Sequence, residues 1–209
     1  MARTQLPHDA KAGPTKAEVR AVVLSKLDLG PADHFAEVGS CTGAVTIEAA
    51  RRAGRVTALE RKPSRAETTV ENLAANDIAV ADGAVTDGGP AAARDGTERA
   101  DVEVRVSEAP AGLPEDVDAL FLGGSRNFGE VLDYAVEAGI GRVVMNVSRL
   151  EVAGAAAEAF RERGLLEEVV QFQVSHGYEL AGATSFDSQN PVYMLVGGAG
   201  EVATDGGRP

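Results

Sequence analysis

The residues with the most to offer chemically fall in one run, Glu37-Val38-Gly39-Ser40-Cys41-Thr42-Gly43. Gly39 and Gly43 bound a turn between an apolar stretch and the helix-forming run Ala44–Ala53. Glycine lets a chain turn tightly and a ligand approach the backbone, and the N–H groups opening a helix can receive an anion such as a carboxylate. A second acid, Glu60, ends the run Arg55–Glu60. A carboxylate at a strand end can accept hydrogen bonds from both hydroxyls of a ribose. A glycine turn alone permits a plain tight turn; with Glu60 at this distance the pair points to an adenosine-containing cofactor. Cys41 stands where a third glycine is usual, and reads as a small backbone-adjacent residue, not a nucleophile.

These residues need strands and helices to position them. The pattern from Thr15 onward alternates: helix with Val19, Val22, Val23 and Leu27 on one face, strand near Phe35, helix, strand 55–60, and helix over about 64–75. Thr15 and Glu18 have the spacing of a capping box at the first helix. Residues 77–100, rich in Gly, Ala and Asp, read as an acidic insertion loop. Strand 101–107, strand 117–122, helix 128–136, strand 142–147 and a helix carrying Val152, Ala155/Ala156 and Ala159/Phe160 follow. Two last strands, near 168–175 and 192–196, have no helix between them and so can only pair antiparallel. Repeated strand–helix units imply a mainly parallel sheet covered on both faces, with ligands beyond the carboxyl ends of the strands. Gly39, Glu60, Ser107/Glu108 and Gly123 all fall at such ends.

Composition removes several functions. A formal net charge of −12 disfavours a nucleic-acid binder, which needs Lys and Arg at phosphates. No apolar run approaches the ~20 residues that cross a bilayer, and the first residues lack a secretory core. With Cys41 as the one cysteine, no internal disulfide can form, which suits a cytoplasmic protein. Only four of the 20 basic residues are lysines, at positions 11, 16, 26 and 62. An acidic, lysine-poor surface suits high salt, where the Debye length falls to about 3 Å at 1 M and self-repulsion is screened.

S-adenosylmethionine and nicotinamide dinucleotides could both use such a turn. Glu37, two positions before the first glycine, resembles the first motif of S-adenosylmethionine methyltransferases, and the terminal antiparallel pair resembles their seven-stranded sheet. The cofactor's methionine carboxylate would then meet the N–H groups opening the helix at Ala44. No Asn/Asp-Pro-Pro-aromatic motif of base or amide methylation follows the fourth strand; Gly123-Gly124-Ser125-Arg126 stands there. The resemblance becomes specific through the strings Gly13-Pro14-Thr15-Lys16-x-Glu18-Val19-Arg20, Glu37-Val38-Gly39-Ser40-Cys41-Thr42-Gly43, Ala58-Leu59-Glu60-Arg61-Lys62-Pro63, Thr68-Thr69-x-x-Asn72-Leu73, Glu108-Ala109-Pro110 and Asn190-Pro191-Val192. In that order, over about 13–196, the chain resembles the decarboxylating precorrin/cobalt-precorrin methyltransferases of cobalamin biosynthesis.

The resemblance implies a Rossmann-like α/β domain at 13–197, and the polar, aperiodic ends at 1–12 and 198–209 read as flexible tails. It implies S-adenosylmethionine as cofactor, a precorrin or cobalt-precorrin tetrapyrrole as substrate, and a homotetramer. The substrate would lose carbon dioxide from a ring acetate and gain a methyl at a neighbouring meso carbon. Cofactor contacts would be Thr15, Gly39, Ser40, Cys41, Thr42, Gly43, Glu60 and Ala109, with Glu108 toward the adenine amino group. No side chain is nominated as general acid or base. The family places arginines between its last two strands, whereas here that stretch has no Lys or Arg and holds Glu179 and Asp187. Arg126, Arg149, Lys16 and Arg20 are the candidate cations for a polycarboxylate, and His176 the one histidine near the expected site, where a strand-end structural role is favoured over catalysis. The rival readings are a methyltransferase acting on another small molecule and a silent S-adenosylmethionine-binding subunit.

Overall fold

The structure, a computed structural model, describes residues 4–9, 13–81 and 100–199. Most of the acidic insertion and the C-terminal tail from residue 200 lie outside the described residues. The element order is α1 (Ala17–Leu27), β1 (His34–Val38), α2 (Ala44–Ala49), β2 (Arg55–Leu59), α3 (Pro63–Ala74), β3 (Asp101–Arg105), β4 (Ala119–Leu122), α4 (Phe128–Glu137), β5 (Arg142–Val147), α5 (Leu150–Glu162), β6 (Leu166–Phe172), β7 (Ser175–Leu180), β8 (Ala183–Ser188) and β9 (Val192–Gly197). Seven strands form one sheet in the order β3-β2-β1-β4-β5-β9-β6. Strands β1 to β5 are parallel, and β9 runs antiparallel between β5 and β6. The α/β methyltransferase architecture expected from the sequence is the one observed.

The sheet has a core on each face. Phe35, Val56, Val104, Phe121 and Val144 point to the side covered by α1, α2 and α3, where Val19, Ile47 and Leu73 meet them. Leu120, Leu122, Val143 and Met145 point to the other, against Val131 and Leu132 of α4 and Phe160 of α5. Each fully buried Leu, Ile or Phe contributes about 1.5–3 kcal/mol of transfer free energy. Burial on both faces is why β4 reads as an unbroken apolar run. The faces of α4 and α5 are rotated slightly from the sequence reading: Val136 is exposed, and Ala153 and Ala157 are buried where Ala155 was expected.

Three local features differ from expectation. The first is the capping box at Thr15 and Glu18, which does not form: Lys16 is the N-cap of α1, with no side-chain cap bond. Glu18 is drawn instead to His176, 3.0 Å away, and the Arg20 guanidinium donates to the Thr15 carbonyl at 2.8 Å. A partner 158 residues distant wins the carboxylate from the local cap. The second is a hairpin, β7–β8, which occupies the stretch between β6 and β9 that was read as a connection. It turns at Ala181-Gly182, both at positive φ (52° and 77°), as type I′ hairpin turns require. The third lies near the N-terminus, within the stretch expected to be a tail. The backbone N–H of Gln5 donates to Asn76 Oδ1 and that of His8 to Asn72 Oδ1, each at 3.0 Å, so Thr4–Asp9 lies as a strap along α3.

Candidate cofactor and substrate site

The strand ends converge because the sheet's ladder continues past the strands. Gly39 N donates to Leu59 O (2.8 Å), Glu60 N to Arg105 O (3.0 Å), Ser107 N to Glu60 O (3.3 Å) and Gly123 N to Val38 O (2.9 Å). Ser107, Glu60, Gly39 and Gly123 therefore stand side by side along the carboxyl edge, as the sequence implied. At Gly39 and Gly123 the closeness favours glycine. A Cβ on Gly39 (φ +85°) would lie 3.4 Å from Gly124 N, and one on Gly123 3.2 Å from Gly39 O. Gly123 thus serves the close approach of β4 to the turn, whereas a Cβ on Gly124 would meet nothing.

The turn is braced from within. Gly43 N donates to Ser40 O at 2.8 Å, and Ser40 N to Leu59 O at 3.1 Å. Those N–H groups are occupied, so they are not the ones that meet a ligand. Cys41 sits at φ +56°, left-handed backbone that favours glycine and costs another residue about 1 kcal/mol. This is why a glycine is usual there, and the half-buried Cys41 keeps the geometry without one. The helix that follows, α2, has only six residues.

Two buried acids flank the turn. Glu37, on the face covered by α1–α3, is 2 % exposed and accepts the Thr46 hydroxyl. Burial pushes its carboxyl up to about 8, against the lowering by Thr46 and with a smaller push from the charge of Glu60. Glu60, 4 % exposed, accepts the Lys62 N–H at 3.0 Å through Oε1. Ala109 is buried and its carbonyl receives the Asn127 carboxamide at 3.2 Å. Glu108 is exposed, 3.4 Å from the guanidinium of Arg126. An exposed pair of this kind is worth about 1 kcal/mol or less, so it opens readily to a better partner.

The cations proposed for substrate separate into two groups. Arg126 and Arg149 are exposed, after β4 and at the start of α5. Arg20 is not a surface charge: it is 8 % exposed, paired with Glu48 and bonded to Thr15 O. Lys16 donates its ammonium to the Asn190 carbonyl, and His176 is held by Glu18 with Gln189 at 3.3 Å. Lys16 and His176 fix the start of α1 against the base of the hairpin, and Arg20 ties the Thr15 segment to α2.

Asn146 was not anticipated. It follows Met145, the partner of Leu122, and so stands next to Gly123 at the carboxyl edge. Both its carboxamide atoms are buried with no hydrogen-bond partner among the described residues. An unmet buried polar atom costs about 1–3 kcal/mol, a cost a core strand tolerates mainly at a working edge. The signal was in the sequence, as the polar break in Val143-Val144-Met145-Asn146-Val147.

A family model for the precorrin methyltransferase domain matches residues 7–101. A probable cobalt-precorrin-6B C(15)-methyltransferase (decarboxylating) of Halobacterium salinarum is 69% identical over 95% of this chain and 96% of its own length. This chain belongs to that family. A second member, from Methanosarcina acetivorans, is 35% identical over 88% of the chain and 93% of its own length. Among solved structures, a precorrin 8w decarboxylase of Methanobacterium thermoautotrophicum superposes with a TM-score of 0.75 at 28% identity, covering 89% of this chain and 92% of that one.

As a precorrin methyltransferase domain, the chain uses S-adenosylmethionine as methyl donor. The edge residues fit that group. Glu60 is a buried carboxylate with a second oxygen beyond the one that Lys62 N occupies, and the glycine-only contact of Gly39 with Gly123-Gly124 leaves backbone, not side chain, lining the turn. Among the described residues no helix is long and apolar enough to cross a membrane, and no cluster of three or more His, Cys, Asp or Glu is placed to hold a metal.

Proposed function

We propose that this protein methylates and decarboxylates a cobalt-precorrin-6B-type tetrapyrrole in cobalamin biosynthesis. The observation that carries the reading is the joined row Ser107–Glu60–Gly39–Gly123, found in a chain 69% identical to a named member of the family. S-adenosylmethionine, when bound, supplies an electrophilic methyl group. The residues of this chain bind, orient and exclude water, which is what such a transfer asks of a protein, because the conjugated substrate itself takes up the electron pair left when carbon dioxide departs.

In this reading Glu60 takes the ribose hydroxyls, and the Gly39–Gly43 turn with Thr15 encloses the methionine part. Glu108 and Ala109 lie toward the adenine. Arg126 and Arg149, exposed cations at the edge, receive substrate carboxylates, and Asn146 faces the same space. Arg20, Lys16 and His176 act one step back by holding Thr15 and the start of α1 in place.

The experiment is to incubate the protein with S-adenosylmethionine and cobalt-precorrin-6B, at low and at molar salt, and follow the tetrapyrrole's mass. Loss of carbon dioxide with gain of one methyl, favoured by molar salt, is the expected result. Cofactor binding without tetrapyrrole product overturns the substrate reading and leaves a methyltransferase of another small molecule or a silent subunit. Reversing the charge at both Arg126 and Arg149 is expected to abolish turnover while sparing cofactor binding. Retained turnover moves the substrate site elsewhere.

We also propose that the protein works in the cytoplasm as a homotetramer. The exposed β7–β8 ribbon supports the assembly: Tyr178, Leu180 and Phe186 are 47, 57 and 67% exposed on a two-stranded sheet of their own. A two-stranded ribbon is marginal alone, and apolar side chains on it favour a second copy as cover. Light scattering is expected to give the mass of four chains, and replacement of Leu180 and Phe186 by Asp to give smaller species. Four-chain mass in that variant would remove the ribbon from the interface.

A further inference from the structure

The string Thr68-Thr69-x-x-Asn72 has no part in the site as described so far. On α3, Thr69 and Asn72 are three residues apart, so they share a face, and both are completely buried. That face lies against the glycine turn: a Cβ on Gly43 would stand 3.0 Å from Thr69 Cγ2. The Thr69 hydroxyl is 2.9 Å from Ser40 Oγ, 3.1 Å from the Cys41 carbonyl and 3.2 Å from the Arg65 carbonyl one turn back on α3. One hydroxyl has one proton. Ser40 therefore donates to Thr69 when Thr69 donates to Cys41. Asn72 uses all of its carboxamide. Its Nδ2 donates to the Thr42 carbonyl at 2.9 Å and to the His8 carbonyl at 2.8 Å, and its Oδ1 accepts the His8 N–H at 3.0 Å.

Two consecutive carbonyls of the turn are thus held by one helix. A peptide unit is planar and trans, so a carbonyl drawn to α3 sends the N–H of the next residue the opposite way. The bond to Cys41 O therefore sets the direction of the Thr42 N–H, and it holds the left-handed Cys41 whose conformation would otherwise relax. Asn72 then joins the turn to the N-terminal strap. Four residues further along, Asn76 grips the same strap through Gln5, with bonds of 3.0 and 2.7 Å, and none of its bonds reaches the turn.

We propose that Thr69 and Asn72 are the positioning residues of the cofactor turn, and that through Asn72 the strap at His8 belongs to the same device. They touch no cofactor; they set the backbone that does. The inference rests on the reading that the Gly39–Gly43 turn holds S-adenosylmethionine.

Calorimetric titration of the full chain with S-adenosylhomocysteine tests it, at a temperature where thermal melts show each variant folded. Thr69→Val keeps the shape and removes the hydroxyl; it is expected to weaken binding at least tenfold, while Thr69→Ser stays within threefold of wild type. Asn72→Ala is expected to weaken binding at least tenfold, and Asn76→Ala, which loses its bonds to Gln5, Arg51 and the Asn72 carbonyl but none to the turn, less than threefold. A packing role would make Thr69→Ser, which loses the methyl, worse than Thr69→Val, and that order overturns the proposal. So does binding within threefold of wild type in both Thr69→Val and Asn72→Ala. If Asn72→Ala does not fold, the Thr69 pair decides alone. Wild-type protein that fails to bind brings down the reading of the turn itself; wild-type binding with unchanged variants brings down only the positioning role.

Discussion

Replacing Glu60 by Ala lowers the affinity for S-adenosylhomocysteine about 100-fold or more and leaves the protein folded. The effect is large because the carboxylate is prepared before any ligand arrives. Its backbone is bonded on both sides, by its own N–H to Arg105 O and by Ser107 N to its carbonyl. Its Oε1 is oriented by the Lys62 N–H. A ribose diol offers two hydroxyl donors, and hydrogen bonds to a charged acceptor are worth about 1.5–3 kcal/mol each. A hundredfold change corresponds to about 2.7 kcal/mol, within reach of losing both. Glu60→Gln keeps the length and loses the charge, and is expected to fall between, near tenfold. Calorimetric titration measures both. A loss under about fivefold for Glu60→Ala, in protein whose melt shows it folded, would take the ribose away from this residue. In the ligand-free protein the side chain of Glu60 holds one backbone N–H, that of Lys62, so the expected loss of stability is small, about 1 kcal/mol. That combination of lost function and largely kept stability is the mark of a residue maintained for binding.

Periodicity was enough to foresee most of the scaffold that holds Glu60. The strands are short apolar runs whose ends coincide with Gly39, Glu60 and Gly123, and parallel order follows from the helices between them. What sequence could not show was where polar groups go once distant segments meet. Thr15 and Glu18 have ideal capping spacing, yet His176 takes Glu18, because hairpin and helix are neighbours only in the folded chain. Arg20 reads as one more surface cation in a chain with 16 arginines, but Glu48 and the Thr15 carbonyl bury it. Asn72 enters from the sequence only as part of the string Thr68-Thr69-x-x-Asn72-Leu73, and its partners, His8 and Thr42, lie 64 and 30 residues away. The β7–β8 hairpin was missed for a different reason. Its Ala181-Gly182 turn lacks the Asn-Gly or Asp-Gly that announces a type I′ turn, and its outward side chains alternate weakly. Local rules placed Gly39, Glu60 and Gly123 on one edge, and long-range partners decided which of their neighbours brace it.

The second large effect concerns Glu37 and pH. In the unfolded chain this carboxyl has an ordinary value near 4.5, and in the folded protein burial raises it to about 8. Between those values the folded state keeps a proton that the unfolded state has released. Stability therefore falls as pH rises from about 4.5 to about 8, and this contribution levels off above that, where both states are ionised. The span is on the order of 3–5 kcal/mol, since one pKa unit corresponds to about 1.36 kcal/mol. Glu37→Gln has the same shape and cannot ionise, so it is expected to escape the decline. Near pH 5 the two proteins should unfold within about 1 kcal/mol of each other, and at pH 9 the Gln variant should be more stable by several kcal/mol. Denaturant titrations at a series of pH values measure the difference, and taking the difference cancels the other titrating groups that the two chains share. Parallel curves from pH 5 to 9 would mean that the Glu37 carboxylate is accommodated as a charge, with Thr46 sufficient to satisfy it. The expected divergence instead makes Glu37 a buried acid held against stability, two residues before the Gly39 that opens the turn.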